Sequence, residues 1–425
     1  MKLSNKKILL ASLALLSLIF LIQFFIISSK NEEFFNKLSQ SEFYEVSNKQ
    51  FKKGFLSSVG SFEAKLGELN FVFQGQFSNH IFTSKNVKFA ISVADKEEFK
   101  QLLYDLFFNR YSHDLNAFKF EFDEMILSGF ASKSLFGAAE VQIALHDINL
   151  RDTQGGDYAE GYEIRGGKLG FTLDSSGKLI RDKLSIALLD IVNDRLTFTL
   201  KEAVFGGDYQ TPIDIFSQNE VSYEEFKSNF TLAFKELRAF NAFNDIVLNG
   251  LESQTGVSAK SGVANVQSHL LLGGFDFKGL AEKFKLDEVR YDFELKNIAL
   301  LTPLELLSEP DNLLFAKLLA TKPELNATNF SFKNNGKTFF STHHLAAWSE
   351  AGANFAAKIK FDAKSEFKLS QISPSLTPFE RLFVTKDGFE VMELTSQING
   401  TEEKITLNKQ EMTPDGFWEM LEVKE

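Results

Sequence analysis

The chain has 425 residues, 44% apolar and 24% charged, and contains no cysteine. Such a composition folds, and it excludes disulfides, thiolate metal sites and cysteine nucleophiles. The net charge is −11 with no Lys/Arg-rich block beyond the extreme N-terminus, which excludes the basic footprint that nucleic acid requires.

Residues 8–27, ILLASLALLSLIFLIQFFII, carry Gln23 as their one strongly polar side chain. At about 1.5 Å per residue, twenty helical residues span roughly 30 Å, the hydrocarbon thickness of a bilayer. Lys2, Lys6 and Lys7 precede the run, so the positive-inside rule leaves the N-terminus in the cytoplasm and exports the remainder. A cleaved signal peptide has a shorter apolar region and a small-x-small site, whereas this run ends in IISSK. The reading is therefore an uncleaved signal anchor. It assigns residues 1–30 to a cytoplasmic tip and transmembrane anchor and 31–47 to a helical stalk. Residues 48–425 form a β-rich extracytoplasmic domain, with a subdivision near residue 220.

Beyond the stalk, period-two alternation predicts half-buried antiparallel strands at 69–77, 86–93, 118–122, 167–173, 182–189 and 195–200. Residues 95–110, DKEEFKQLLYDLFFNR, predict a helix capped by Asp95, with Phe99, Leu102, Leu103, Leu106 and Phe107 on its buried side. Gly155-Gly156 and Gly166-Gly167 flank a strand-like YEIR and read as hairpin glycines. FNAFNDIVLNGL (240–251), TPLELL (302–307) and TPDGFWEML (413–421) read as further helices. Asp387-Gly388 and Asn399-Gly400 predict hairpins.

A motif recurs in IALHDINL (143–150), FTLKEAVF (198–205), LAFKELRA (232–239) and FELKNIAL (293–300). Apolar-x-apolar is followed by a polar pair and then by apolar-x-apolar in the opposite phase. A β-bulge at the pair inserts one residue and returns the second apolar pair to the first face; the alternative is that each strand ends there. The bulge reading predicts long strands that kink at a matched position. LAFKELRA and FELKNIAL, 61 residues apart and each followed by a helix-like segment, read as an internal duplication. The fold class is mainly β: a curved, repetitive antiparallel sheet with a few short helices, preceded by one transmembrane helix.

No motif names a reaction. There is no H-E-x-x-H, P-loop or G-x-S-x-G. Of His80, His113, His146, His269, His343 and His344 only the last two are close in sequence, and adjacent strand residues point to opposite faces. No metal, cofactor or catalytic residue is therefore assigned. ELNAT (324–328) fits an acidic-x-Asn-x-Thr glycosylation acceptor at Asn326, expected in a loop after Pro323. The 47 Phe follow from AT-rich codon usage, and an apolar groove is compatible with them. Its candidate residues are Phe71, Phe73, Phe89, Phe198, Phe234 and Phe293, for which plain core is the alternative.

Three segments carry a family resemblance: the N-terminal anchor, FKKGFLSSVGSFEAKL (51–66) with its Gly-Phe-x-Ser-Ser core, and INGTEEKITLNKQ (398–410). In these the chain resembles the YdgA-like family of bacterial inner-membrane-anchored proteins of unknown function. His80 falls where that family has His-Gly-Pro, but Ile81-Phe82 and Lys409 stand where it has Gly-Pro and a final Gly. The repeated strand motif is also similar to strands of AsmA-like envelope proteins, whose curved sheets hold lipid. The resemblance implies a single-pass protein of the bacterial inner membrane with its C-terminal domain in the periplasm. Its expected partners are that membrane, through residues 8–27, and an envelope protein or a lipid. The function expected is a binding or scaffolding module, with a lipid-conveying groove as the alternative and an envelope hydrolase as the least favoured.

Overall fold

The computed structural model describes residues 26–40, 44–67, 69–79, 86–107, 117–133, 138–153, 160–193, 195–214, 225–300, 310–349, 355–400 and 402–421. The protein is mainly β and antiparallel, with short helices. It divides into two compact units between Asp194 and Arg195.

The first unit contains strands β1 (Glu45–Lys52), β2 (Ser57–Leu66), β3 (Leu69–Ser78), β4 (Val87–Val93), β5 (Phe118–Phe122) and β6 (Met125–Lys133). It continues with β7 (Ala139–Leu145), β8 (Ile148–Asp152), β9 (Gly161–Arg165), β10 (Gly167–Leu173) and β11 (Leu179–Val192). Their ladder runs β1-β2-β3-β4-β6-β7-β10-β11-β9-β8-β5, antiparallel throughout. The strands predicted at 69–77, 86–93, 118–122, 167–173 and 182–189 all form.

Helix α1 (Ser28–Leu38) forms in the segment read as a helical stalk and packs onto the first unit. Its Phe35 is fully buried, with ring centroids 5.2, 5.7 and 5.9 Å from those of Phe51, Phe62 and Phe77. Gly60 lies beneath that ring, and a Cβ there would come within 2.6 Å of it. The domain therefore begins with this helix, and its first strand starts at Glu45. Helix α2 (Lys96–Phe107) forms as predicted. Asp95 Oδ1 accepts hydrogen bonds from the N–H groups of Glu97 and Glu98 at 2.8 and 3.2 Å, a side-chain N-cap. Its Phe99, Leu103 and Tyr104 pack with Phe118, Phe122 and Leu150 in a buried cluster. The side chains of Leu106 and Phe107 lie outside the described residues.

The motif IALHDINL breaks at its polar pair into β7 and β8, opposite a break at Gly166 (φ +62) between β9 and β10. Pairing keeps one register across both breaks, Leu145 with Gly167 and Ile148 with Ile164. The Gly166 N–H donates to Asp147 Oδ1 at 2.9 Å. Gly166 is thus a kink inside a strand pairing and not the hairpin glycine expected. Gly155 and Gly156 lie outside the described residues.

The second unit opens with five long strands, β12 (Thr197–Ile213), β13 (Glu225–Phe240), β14 (Asn244–Lys260), β15 (Val263–Gly279) and β16 (Lys283–Ala299), paired in chain order. One row across them pairs Leu200, Leu237, Leu248, Phe275 and Leu286. Three residues along each strand, a second row pairs Phe234, Leu251, Leu272 and Val289. In a regular strand, residues three apart face opposite sides. Here Leu286 and Val289 pack on the same cluster, because Glu288 between them is left-handed (φ +49). Glu202 in β12 and Gly250 in β14 are left-handed at the same level (φ +50 and +65). Gly250 adopts that conformation at little cost; the two glutamates do so against the ordinary preference of an L residue.

The motif in FELKNIAL is a true bulge: Lys296 and Asn297 oppose Asn265 alone, Asn297 has φ +57, and its N–H donates to Asn265 Oδ1 at 3.1 Å. At FTLKEAVF the strand kinks at Glu202 with no change of register, and at LAFKELRA the pairing with β14 runs straight through. FTLKEAVF and LAFKELRA thus lie at the level of Glu202 and Gly250, whereas the bulge in FELKNIAL lies elsewhere along β16 and is the one copy that inserts a residue, so the expected matching of kinks holds only in part.

Beyond β16 come helix α3 (Asp311–Ala320), β17 (Glu324–Asn334), β18 (Lys337–Ser349), β19 (Phe355–Ser365) and β20 (Val384–Lys386). They are followed by β21 (Phe389–Asn399), β22 (Glu402–Leu407), β23 (Gln410–Met412) and helix α4 (Pro414–Leu421). Two 3-10 segments, Leu369–Gln371 and Pro374–Leu382, and α4 close over a cluster built on Phe332, Phe339, Phe367, Ile405 and Phe417. The Asp387-Gly388 hairpin has φ +52 and +80, positive at both central residues as a two-residue hairpin turn prefers. The Asn399-Gly400 hairpin forms between β21 and β22.

The helix expected at 240–251 is instead a turn followed by β14. Asn241 Oδ1 accepts from the N–H groups of Phe243 and Asn244, both at 2.8 Å, which fixes the turn locally. LAFKELRA is therefore not followed by a helix, and the duplication read from that succession does not hold. TPLELL lies outside the described residues.

Asn297→Val, which forces a β-branched residue into a left-handed position, is expected to cost about 1–3 kcal/mol, while Asn297→Gly is expected to retain full stability. Urea unfolding of both variants checks this, and an unchanged midpoint for the valine variant contradicts the strain described for the bulge.

Candidate functional site

The structure divides the six Phe proposed for a groove. Phe71 packs on the α2 cluster and Phe73 on the Phe35 cluster. Phe89 stacks on Phe73 with centroids 6.3 Å apart. Phe234 is buried in the second kink row. Phe293 packs against Tyr291 at 4.9 Å, and Phe198, half-buried, pairs with Ala239. Phe71, Phe73 and Phe89 are brought together in the first unit, Phe198, Phe234 and Phe293 lie in the second, and Phe71, Phe73 and Phe234 are plain core.

A groove of about 770 Å³ lies instead on the polar face of the first unit. Residues paired across a sheet share a face. Lys88, Phe130, Gln142, Gly170 and Lys183 form one such row over β4, β6, β7, β10 and β11. Ser128, Ala144, Lys168 and Ser185 form the row on one side of it, and Glu140, Thr172 and Arg181 the row on the other. Phe89 follows Lys88 in β4, so its side chain points to the opposite, apolar face. Gly170 forms the floor: a Cβ there meets nothing closer than 3.9 Å. Lys88, Lys168 and Lys183 are exposed and have no ion-pair partner among the described residues. The lining carries four cations, Lys88, Lys168, Arg181 and Lys183, and two carboxylates, Glu140 and Asp182, in a chain whose net charge is −11. Neither hydropathy nor motif marks this cluster, because its residues are scattered in sequence between Lys88 and Ser185 and only the register of five strands assembles them.

The histidines do not converge. Among the described residues no group of three or more His, Asp or Glu is placed to hold a metal ion, and His80 and His113 lie outside those residues. His146 Nε2 lies 3.2 Å from Ser128 Oγ. His269 Nδ1 lies 3.0 Å from Asp292 Oδ1, while Arg290 donates to Asp292 Oδ2 at 2.7 Å and Asn329 Nδ2 to the same oxygen at 3.2 Å. Burial alone would raise the Asp292 pKa; the hydrogen bonds from His269, Arg290 and Asn329 outweigh it and hold that carboxyl below the usual range.

His343 sits on the apolar face, with Nε2 3.0 Å from Tyr291 Oη, its ring stacked against Phe361 and its Nδ1 buried without a hydrogen-bond partner. Burial pushes its pKa down and that of Tyr291 up. Asn326, the expected glycosylation acceptor, is not in a loop. It lies within β17, paired with Glu294 on one side and His344 on the other.

No family model matches this chain, and no curated protein or solved structure matches it.

Because the folded state resists protonating His343, the unfolded chain takes up that proton first as pH falls below about 6.5. This part of the stability is present above that pH and is lost as pH falls through the lower folded pKa. His343→Phe is expected to keep the aromatic stack and to lose less thermal stability than the native chain between pH 7.5 and 5. Parallel melting curves, with no narrowing of the gap at low pH, contradict it.

Proposed function

We propose that this is a signal-anchored protein of the bacterial cell envelope. On this reading residues 8–27 span the inner membrane as a helix, the two β units are periplasmic, and they act as a binding or scaffolding module rather than an enzyme. The apolar run and the lysines before it support the anchoring, as does the resemblance to the YdgA-like family. Among the described residues no helix is long and apolar enough to cross a membrane, and residues 8–25 lie outside them.

The observation that carries the binding reading is the groove over Gly170. Three exposed lysines without ion-pair partners converge on a floor of small residues, on a chain that is acidic elsewhere. An anionic partner fits there, drawn in by the three lysines and admitted by the missing side chain at Gly170 and the small one at Ala144. The alternative reading, an apolar groove for lipid, is left with the half-buried Phe89 of the first unit and Phe198 and Phe293 of the second.

Polyglutamate is a suitable probe of the anionic site. The double variant Lys168→Glu, Lys183→Glu is expected to bind it at least about tenfold more weakly at low salt, with the native interaction fading as ionic strength rises. Equal affinity in titrations of the two proteins removes the groove from the proposal. Organic extraction of the same native preparation tests the alternative: lipid at about one molecule per chain by mass spectrometry favours the apolar reading.

A further inference from the structure

Residue 28 follows the apolar run 8–27 directly and is also the first residue of α1. That end of the helix is fastened to the turn of the β1–β2 hairpin by a buried polar network. Asn79 and Ser58 are both fully buried. Asn79 Nδ2 donates to the Gly54 carbonyl at 2.6 Å, and Asn31 Nδ2 donates to Asn79 Oδ1 at 2.8 Å and to the Ser78 carbonyl at 3.1 Å. Ser58 Oγ lies 3.5 Å from Ser28 Oγ, and Lys53 Nζ pairs with Glu32 at 2.8 Å. Gly54 and Ser58 belong to the Gly-Phe-x-Ser-Ser segment, so that segment is the fastening itself.

The turn that is held there exposes apolar side chains. Phe55 is 37% exposed, Leu56 63% and Val59 52%, and Ile26 just before the helix is 53% exposed. Lys30 and Lys52 are exposed nearby and form no ion pair among the described residues.

We propose that this turn is a membrane-docking tip. Leu56 inserts into the interfacial layer of the same bilayer that residues 8–27 span, with Lys30 and Lys52 facing anionic headgroups. The inference rests on the anchored reading above. The occupant is the bilayer and not a second protein, because no residue separates the apolar run from the fastened helix. The tip is held at the surface wherever the anchor is in the membrane, which makes docking an intramolecular event.

The absence of cysteine makes the native chain a ready background for labelling. Leu16→Cys, Leu56→Cys and Leu66→Cys, each carrying an environment-sensitive fluorophore, are reconstituted as full chains into vesicles of phosphatidylethanolamine and phosphatidylglycerol containing doxyl-labelled lipid. Leu66 is 54% exposed at the far end of β2 and serves as the matched control. Quenching by lipid is expected at positions 16 and 56, at 56 at least about twofold above 66. Quenching at 16 with equal signals at 56 and 66 overturns the docking tip and leaves the anchor standing. Loss of quenching at 16 overturns the anchor and the docking tip together.

Discussion

A one-sided sheet made of long strands must keep every apolar side chain on the same face while its backbone twists. In the second unit this constraint is met by a line of left-handed residues. Glu202, Gly250 and Glu288 lie at one level in alternate strands and let two apolar rows three residues apart turn to the same side. Without that line, strands of 16 or 17 residues would turn one half of their apolar set to water. Phe234, Leu251 and Leu272 are buried because of it, and Leu286 and Val289 reach the Phe332–Phe339 cluster together. In the first unit, Gly166 opposite His146-Asp147 marks a similar break.

Much of this is legible in the sequence, because parity is a local property. The out-of-phase apolar pairs by themselves announce a kink, and the Asp-Gly and Asn-Gly turns announce hairpins. What parity leaves open is whether the kink inserts a residue, since that depends on the partner strand: Asn297 opposes a shortened partner and Glu202 does not. The segment 240–251 reads as a helix because a short apolar run has no decisive period; the Asn241 side chain closes a turn and commits it to a hairpin. Helix α3, DNLLFAKLLA, carries no signal strong enough to predict it, being apolar almost all round.

The site is far less legible than the fold. Phe attracts attention as a groove former, yet Phe71, Phe73 and Phe234 are needed where a single layer meets a helix or a kink row. The basic groove, in contrast, uses residues that are individually ordinary on a solvated face. Lys88 and Lys183 become neighbours of Gly170 only through four consecutive strand pairings. A surface defined by register is invisible to any reading that treats strands one at a time.

The polar pairs of the motif have a further consequence. Lys201 lies 2.7 Å from Glu236, and Lys235 pairs with Glu202 at 2.6 Å, across two strands that run in opposite directions. Bridges this close to solvent add little to stability. Their arrangement, however, discriminates between alignments. A slip of one residue in one direction sets Lys201 against Lys235, and a slip in the other sets Glu202 against Glu236. Both errors bring like charges face to face, so a sequence of two letters repeated on facing strands acts as a key that fits in one position only.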